Sequence, residues 1–147
     1  TYYISKGMKA CGSTGKVYSC DPGRGPSKEF LREQDNVDYR SIYSSDLVSD
    51  LIEKGIKLDY LFFDGPEDPN IAMEDIKALE DYIDVGCYFS MHDWETERRL
   101  FDNGLSTKAA KIRPYMETSP LWEEVEVLDG LTKKDSVGLC LYRFLGK

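Results

Sequence analysis

The sequence predicts an α/β fold, a mostly parallel sheet with flanking helices that closes on a C-terminal antiparallel hairpin. Three observations carry this expectation. Leu58-Asp59-Tyr60-Leu61-Phe62-Phe63-Asp64-Gly65 and Gly86-Cys87-Tyr88-Phe89-Ser90-Met91-His92-Asp93 are short apolar runs that each end abruptly on ionisable residues. A helical pattern lies between them, so Asp64 to Asp93 makes loop, helix and strand in about 30 residues, the length of a right-handed crossover between parallel neighbours. Finally, Trp122 to Leu128 and Ser136 to Phe144 read as strands, and the link from Asp129 to Asp135 is too short for a crossover helix, so the pair is antiparallel.

The composition fits one globular domain over residues 1–147. With 147 residues and 41% hydrophobic content the chain is long enough to bury a core. A formal net charge of -8, with no clustered Lys or Arg, repels phosphate backbones and argues against nucleic acid as a partner. No apolar run approaches the roughly 18 residues of a membrane span, and no signal-peptide pattern opens the chain. Cys11, Cys20, Cys87 and Cys140 are dispersed and form no C-x-x-C pair, which fits small apolar side chains in a reducing cytoplasm.

Taken in order, Tyr3, Ile4, Met8 and Cys11 have helical spacing that stops at Gly12-Ser13-Thr14-Gly15. Lys16 to Asp21 reads as a strand ending on an acid. Pro22-Gly23-Arg24-Gly25-Pro26 forces a loop, and Ser27 caps a helix from Lys28 to Gln34. Tyr39 to Ser44 is a weaker strand, interrupted by Arg40 and Ser41. Ser45 then caps a helix with Leu47, Val48, Leu51 and Ile52 on one face, and Gly55 stops it in a left-handed conformation.

After the strand Leu58 to Phe63, Asp68-Pro69 opens a helix of about four turns whose buried stripe is Ala72, Ile76, Leu79 and Ile83. Beyond the strand Cys87 to Met91, Trp94 to Asn103 has helical spacing up to Gly104. Lys108 to Pro120 reads as irregular, and Asp129-Gly130 turns the hairpin.

In an open α/β sheet, chemistry collects beyond the carboxyl ends of the strands, so Asp64, His92 and Asp93 share one rim. His92, the single histidine, has the residue type of a general base near neutral pH.

The alternation ending in a hairpin, with an acid after several strands, resembles the class I S-adenosylmethionine-dependent methyltransferases. More narrowly, Asp59-Tyr60-Leu61-Phe62-Phe63-Asp64-Gly65 followed by Gly86 and a strand closing on His92-Asp93 is similar to the small-molecule O-methyltransferase group, over Val17 to Phe144. The resemblance implies S-adenosylmethionine as cofactor and methyl transfer to a small-molecule hydroxyl. It places Asp21 at the cofactor ribose, Asp46 near the adenine, and Asp64 beside the methionine moiety and the acceptor. His92 and Asp64 become the catalytic pair. In metal-dependent members, acids at these strand ends hold Mg²⁺, so Asp64, His92 and Asp93 are candidate ligands for Mg²⁺ or, given the imidazole, Mn²⁺. Glu67 and Asp68 stand where the group often has Asp-His. Glu95 and Glu97 read as a solvated helix face rather than as ligands.

One departure stands out. The family cradles its cofactor with an E-x-G-x-x-x-G turn after its first strand, where glycine lets backbone N–H groups approach the ligand. This sequence has no such turn and opens without Met on Thr1-Tyr2-Tyr3-Ile4, already in helical pattern. It reads as N-terminally truncated, lacking a central strand between those ending at Asp21 and Asp64. A fragment, a homo-oligomer that completes the sheet and a reduced fold each account for this. Two other functions compete with methyl transfer: a non-catalytic remnant serving binding or oligomerisation, and a different nucleotide-binding α/β domain, against which the hairpin and the lack of G-x-G-x-x-G speak. The missing turn gives the first prediction: titration calorimetry of the 147-residue chain with S-adenosylmethionine should show weak or no binding, and micromolar affinity would overturn it.

Overall fold

A computed structural model describes residues 1–23, 29–94, 107–128 and 138–147. The described strands form a mixed α/β architecture with two sheets, one a parallel pair and one of four strands. The chain divides into two compact units, Thr1–Asp50 and Leu51–Lys147.

The first unit carries α1 (Tyr2–Ala10), β1 (Val17–Cys20), α2 (Glu29–Arg32), β2 (Val37–Arg40) and most of α3 (Ser44–Glu53). β1 and β2 pair in parallel, Val17 opposite Val37 and Cys20 opposite Arg40. The expected strand Tyr39 to Ser44 is displaced toward the N-terminus: Leu47 N–H already bonds Tyr43 C=O, so the helix begins where the strand was expected to end. In α1 the buried residue is Ser5, whose hydroxyl donates to Asn36 Oδ1 at 2.6 Å, whereas Tyr3 is exposed. Arg40 donates to both oxygens of Asp38 and to Asp50 Oδ2, tying the end of β2 to α3. Those bonds, Asp38 first, hold its guanidinium above its ordinary value.

α3 ends as its glycine requires. Gly55 adopts φ +64, its N–H reaches Ile52 C=O and Ile56 N–H reaches Leu51 C=O, the paired bonds of a Schellman stop.

In the second unit a four-stranded sheet runs β3 (Tyr60–Phe63), β4 (Tyr88–His92), β6 (Leu139–Phe144), β5 (Trp122–Leu128). β3 and β4 are parallel, and both β4 with β6 and β6 with β5 are antiparallel. The crossover and the terminal antiparallel pair thus appear as the spacing predicts. β4, inside this sheet, buries Phe89, Ser90 and Met91 in succession, as a strand covered on both faces must. Phe63, Phe89, Trp122 and Phe144 form a chain of aromatic contacts with centroids 6.3, 5.7 and 4.9 Å apart.

α4 (Pro69–Leu79) is capped by Asp68, whose Oδ1 accepts from Asn70 N–H at 2.8 Å and Ile71 N–H at 3.2 Å. It is shorter than the predicted four turns. Ile83 still joins the buried stripe with Ala72, Ile76 and Leu79, through a turn after the helix. α5 (Ala109–Thr118) occupies the stretch expected to be irregular. Ala109, Ile112 and Met116 are buried along one side, and Pro114 is carried inside the helix because packing offsets the bond it forfeits. The partial alternation of β5 is a bulge: Glu124 pairs with Tyr142 and Glu126 with Leu141, leaving Val125 outside the ladder. The expected helix from Trp94 to Asn103, with Glu95 and Glu97, lies beyond Trp94 outside the described residues, as do Ser27 and the Asp129-Gly130 turn.

None of the four cysteines is in a disulfide. Burial pushes the Cys87 thiol up to about 11 and the Cys140 thiol up to about 12. Because thiolate is the reacting form, brief alkylation of the folded protein at pH 8 should label the exposed Cys11 and spare Cys87 and Cys140, read by peptide mass spectrometry. Glu80 is the polar tie of this unit. Its Oε1 accepts from Trp122 Nε1–H at 2.7 Å and Tyr115 O–H at 2.6 Å. Glu80→Ala, which strands the buried indole donor, should cost about 1–3 kcal/mol in chemical denaturation, and Glu80→Gln, which keeps the acceptor, clearly less.

Candidate functional site

The parallel register of β3 and β4 sets Phe63 opposite Met91, which brings the next residues, Asp64 and His92, level at the carboxyl ends of the two strands. Gly65 follows because nothing larger fits: a β-carbon there would lie 2.6 Å from Cζ of the Phe63 ring. Asp93 leaves β4 at φ +64. Left-handed backbone costs an ordinary L-residue about 1–2 kcal/mol, and Asp and Asn tolerate it best among those with side chains. The bend puts the Asp93 carboxylate Oδ2 3.2 Å from His92 Nδ1, with Asp64 Oδ1 3.8 Å from the same nitrogen.

The structure therefore brings together three of the five predicted site residues. Asp64, His92 and Asp93 each offer one ligand atom, all within 4.8 Å of one another. Asp21 and Asp46 belong to the first unit. Asp21 follows β1, and its Oδ1 accepts from Gly23 N–H at 2.7 Å, shaping the loop after the strand. Asp46 is an exposed acid in the first turn of α3.

Two residues of the rim were not foreseen. Lys108, immediately before α5, has no exposed surface, and its Nζ lies 2.7 Å from Glu67 Oε1, 3.2 Å from Asp93 Oδ2 and 3.3 Å from Asp64 Oδ1. Burial works against the charge, but the hydrogen bond and charge of Glu67, followed by Asp64 and Asp93, outweigh it and hold the ammonium above the ordinary lysine range. A raised lysine favours the folded state fully below its unfolded value and loses that contribution only as pH climbs through the raised one. At neutral pH Lys108 is thus a fixed positive charge. The signal was present in the sequence: Lys108 stands four residues before Ile112 and eight before Met116, in register with an apolar helical stripe. A charge on such a stripe is buried and must be paired.

Three carboxylates against one ammonium leave the cluster two negative charges when His92 is neutral. For a divalent metal, the spacing of Asp64, His92 and Asp93 is suitable, but two of those three residues already give a carboxylate oxygen to the Lys108 ammonium. A doubly charged ion about 4 Å from an ammonium meets a repulsion of about 8 kcal/mol at the effective dielectric of a protein surface. The donor set is matched to the lysine, and a metal beside it would compete with the ammonium for the same carboxylates.

Comparison with known proteins gives the family of the chain and the likeness of its fold. The family model described as a methyltransferase domain matches residues 1–94. None of the curated proteins compared matches the sequence. Among solved structures, an O-methyltransferase from Bacillus cereus in complex with SAH superposes with TM-score 0.67 at 14% identity, covering 90% of this chain and 64% of that one. A cofactor-bound protein from MTB gives 0.71 at 14% identity, with 98% and 68% covered. An rRNA methylase from Streptococcus thermophilus gives 0.64 at 14%, with 88% and 74% covered. The chain thus spans about two thirds to three quarters of these proteins. At such identity the likeness is one of fold.

Proposed function

The chain belongs to the methyltransferase-domain family, and we propose that it serves S-adenosylmethionine-dependent methyl transfer to the hydroxyl of a small molecule, with His92 as general base. The observation that carries this reading is the pairing of His92 with Asp93 at the carboxyl end of β4, level with Asp64 at the end of β3. With Asp93 Oδ2 3.2 Å from Nδ1, the carboxylate favours a proton on that nitrogen and leaves Nε2 as the basic atom. His92 is half-buried, enclosed enough to be oriented and open enough to meet an acceptor.

S-adenosylmethionine, when bound, supplies a methyl group activated by its sulfonium. The structure of an O-methyltransferase from Bacillus cereus with SAH supports that choice of cofactor. From this chain, Asp21 is assigned to the ribose hydroxyls, since a carboxylate at a strand end accepts two such bonds well, and Asp46 to the adenine amino group. Asp64 is assigned to the acceptor side. In the reaction the acceptor O–H bond breaks, its proton passes to His92 Nε2, and the oxygen takes the methyl group as the S–CH₃ bond breaks. The proton leaves to solvent from the half-exposed imidazole. A second reading is a non-catalytic methyltransferase-fold module, favoured by the engagement of the rim carboxylates with the buried Lys108.

An assay of labelled methyl transfer by the full-length gene product to a panel of hydroxylated small molecules separates the two. His92→Ala should lower kcat by about 10²–10⁴, the usual worth of a general base. Asp21→Ala should raise KM for the cofactor with less effect on kcat. Wild-type turnover in a His92→Ala, Asp93→Ala double variant would sink the site assignment, and no turnover by the wild type on any acceptor would favour the module.

A further inference from the structure

We propose that the Lys108 ammonium is the resident cation of this rim: it occupies the position between Asp64 and Asp93 that a divalent metal would need, and the site works without one. An ammonium has three N–H donors and no acceptor. Here three carboxylates receive it: Asp64 after β3, Glu67 in the loop before α4, and Asp93 after β4. The donors are therefore fully engaged by protein. Lys108 is itself fully buried, while side-chain exposure of its partners runs from 25% at Asp93 to 57% at Asp64.

This arrangement makes Lys108 a positioning residue. With its donors used it has none for an acceptor oxygen, and with each N–H given to a carboxylate it is not a base. Its effect passes through Asp93 Oδ2, which lies 3.2 Å both from Lys108 Nζ and from His92 Nδ1. The lysine fixes the carboxylate, and the carboxylate orients the imidazole. A metal at this place would bind the acceptor oxygen directly and lower its pKa. An ammonium with no free donor does neither, so removal of the acceptor proton falls to His92.

The inference builds on the assignment of this rim as the acceptor side of the site, but its test reads metal binding and stability rather than turnover, so the two fail separately. Mn²⁺ binding is measured by electron paramagnetic resonance, and melting temperature with and without Mn²⁺, for the wild type, Asp64→Asn, Lys108→Met and Lys108→Met with Asp64→Asn. The wild type should show no specific Mn²⁺ site and no Mn²⁺-dependent rise in melting temperature. Lys108→Met, with the cation removed and the carboxylates kept, should bind one Mn²⁺ at least about tenfold more tightly than the wild type, a difference of about 1.4 kcal/mol, and regain melting temperature when Mn²⁺ is added. The added Asp64→Asn should abolish that gain. A wild-type Mn²⁺ site that Asp64→Asn removes would overturn the proposal, as would a folded Lys108→Met that gains no Mn²⁺ affinity. Should Lys108→Met fail to fold alone, recovery of the fold in Mn²⁺ upholds the proposal and failure to recover overturns it.

Discussion

The contact on which the rim depends is a single buried ammonium shared by three carboxylates. Without Lys108, Asp64, Glu67 and Asp93 would crowd three negative charges around one point, each raising the cost of ionising the others. With it, segments far apart in sequence are pinned to one point. The end of β3, the loop into α4, the end of β4 and the start of α5 are joined by one side chain. Such a node is costly to bury and worthwhile only if every partner is present.

The rest of the second unit supplies the rigidity that this node requires. β4 is buried on both faces and fixes the direction in which His92 and Asp93 emerge, while the aromatic chain from Phe63 to Phe144 locks the order of the strands. Glu80 performs a parallel task at another position, joining the end of α4 to α5 and β5 through Tyr115 and Trp122. Each tie places one acid against donors from separate elements, so packing and polar satisfaction specify the same geometry.

Much of this was legible in the sequence because it is written in short-range pattern. The crossover, the Asp68 cap, the Gly55 stop, the stripe of α4 and the convergence of Asp64 with His92-Asp93 all follow from spacing. The expected helix from Trp94 to Asn103 lies outside the described residues beyond Trp94, and the helix that escaped is α5 at Ala109–Thr118, in a stretch that reads as irregular. Pro114 hid α5, because a proline inside a run of ten residues outweighs local propensity and only tertiary packing on Ile112 and Met116 reverses the balance. Once α5 was missed, Lys108 could not be seen as a buried charge. Its partners lie 15, 41 and 44 residues away, and no local pattern encodes such distances. The bulge at Val125 escaped for a related reason: one extra residue is indistinguishable from imperfect alternation until its neighbours' pairing is known.

The backbone at Asp93 has a consequence for which residues the position admits. With φ at +64, the main chain selects among acids by conformation rather than charge. Glutamate carries the same charge and is the usual replacement for aspartate, but its longer side chain neither tolerates that conformation as readily nor presents its carboxylate at the same reach. Asparagine and glycine suit the bend and lack the charge. Of the twenty residues, aspartate alone meets both demands, so the chain's path and the rim's electrostatics are set by one and the same residue.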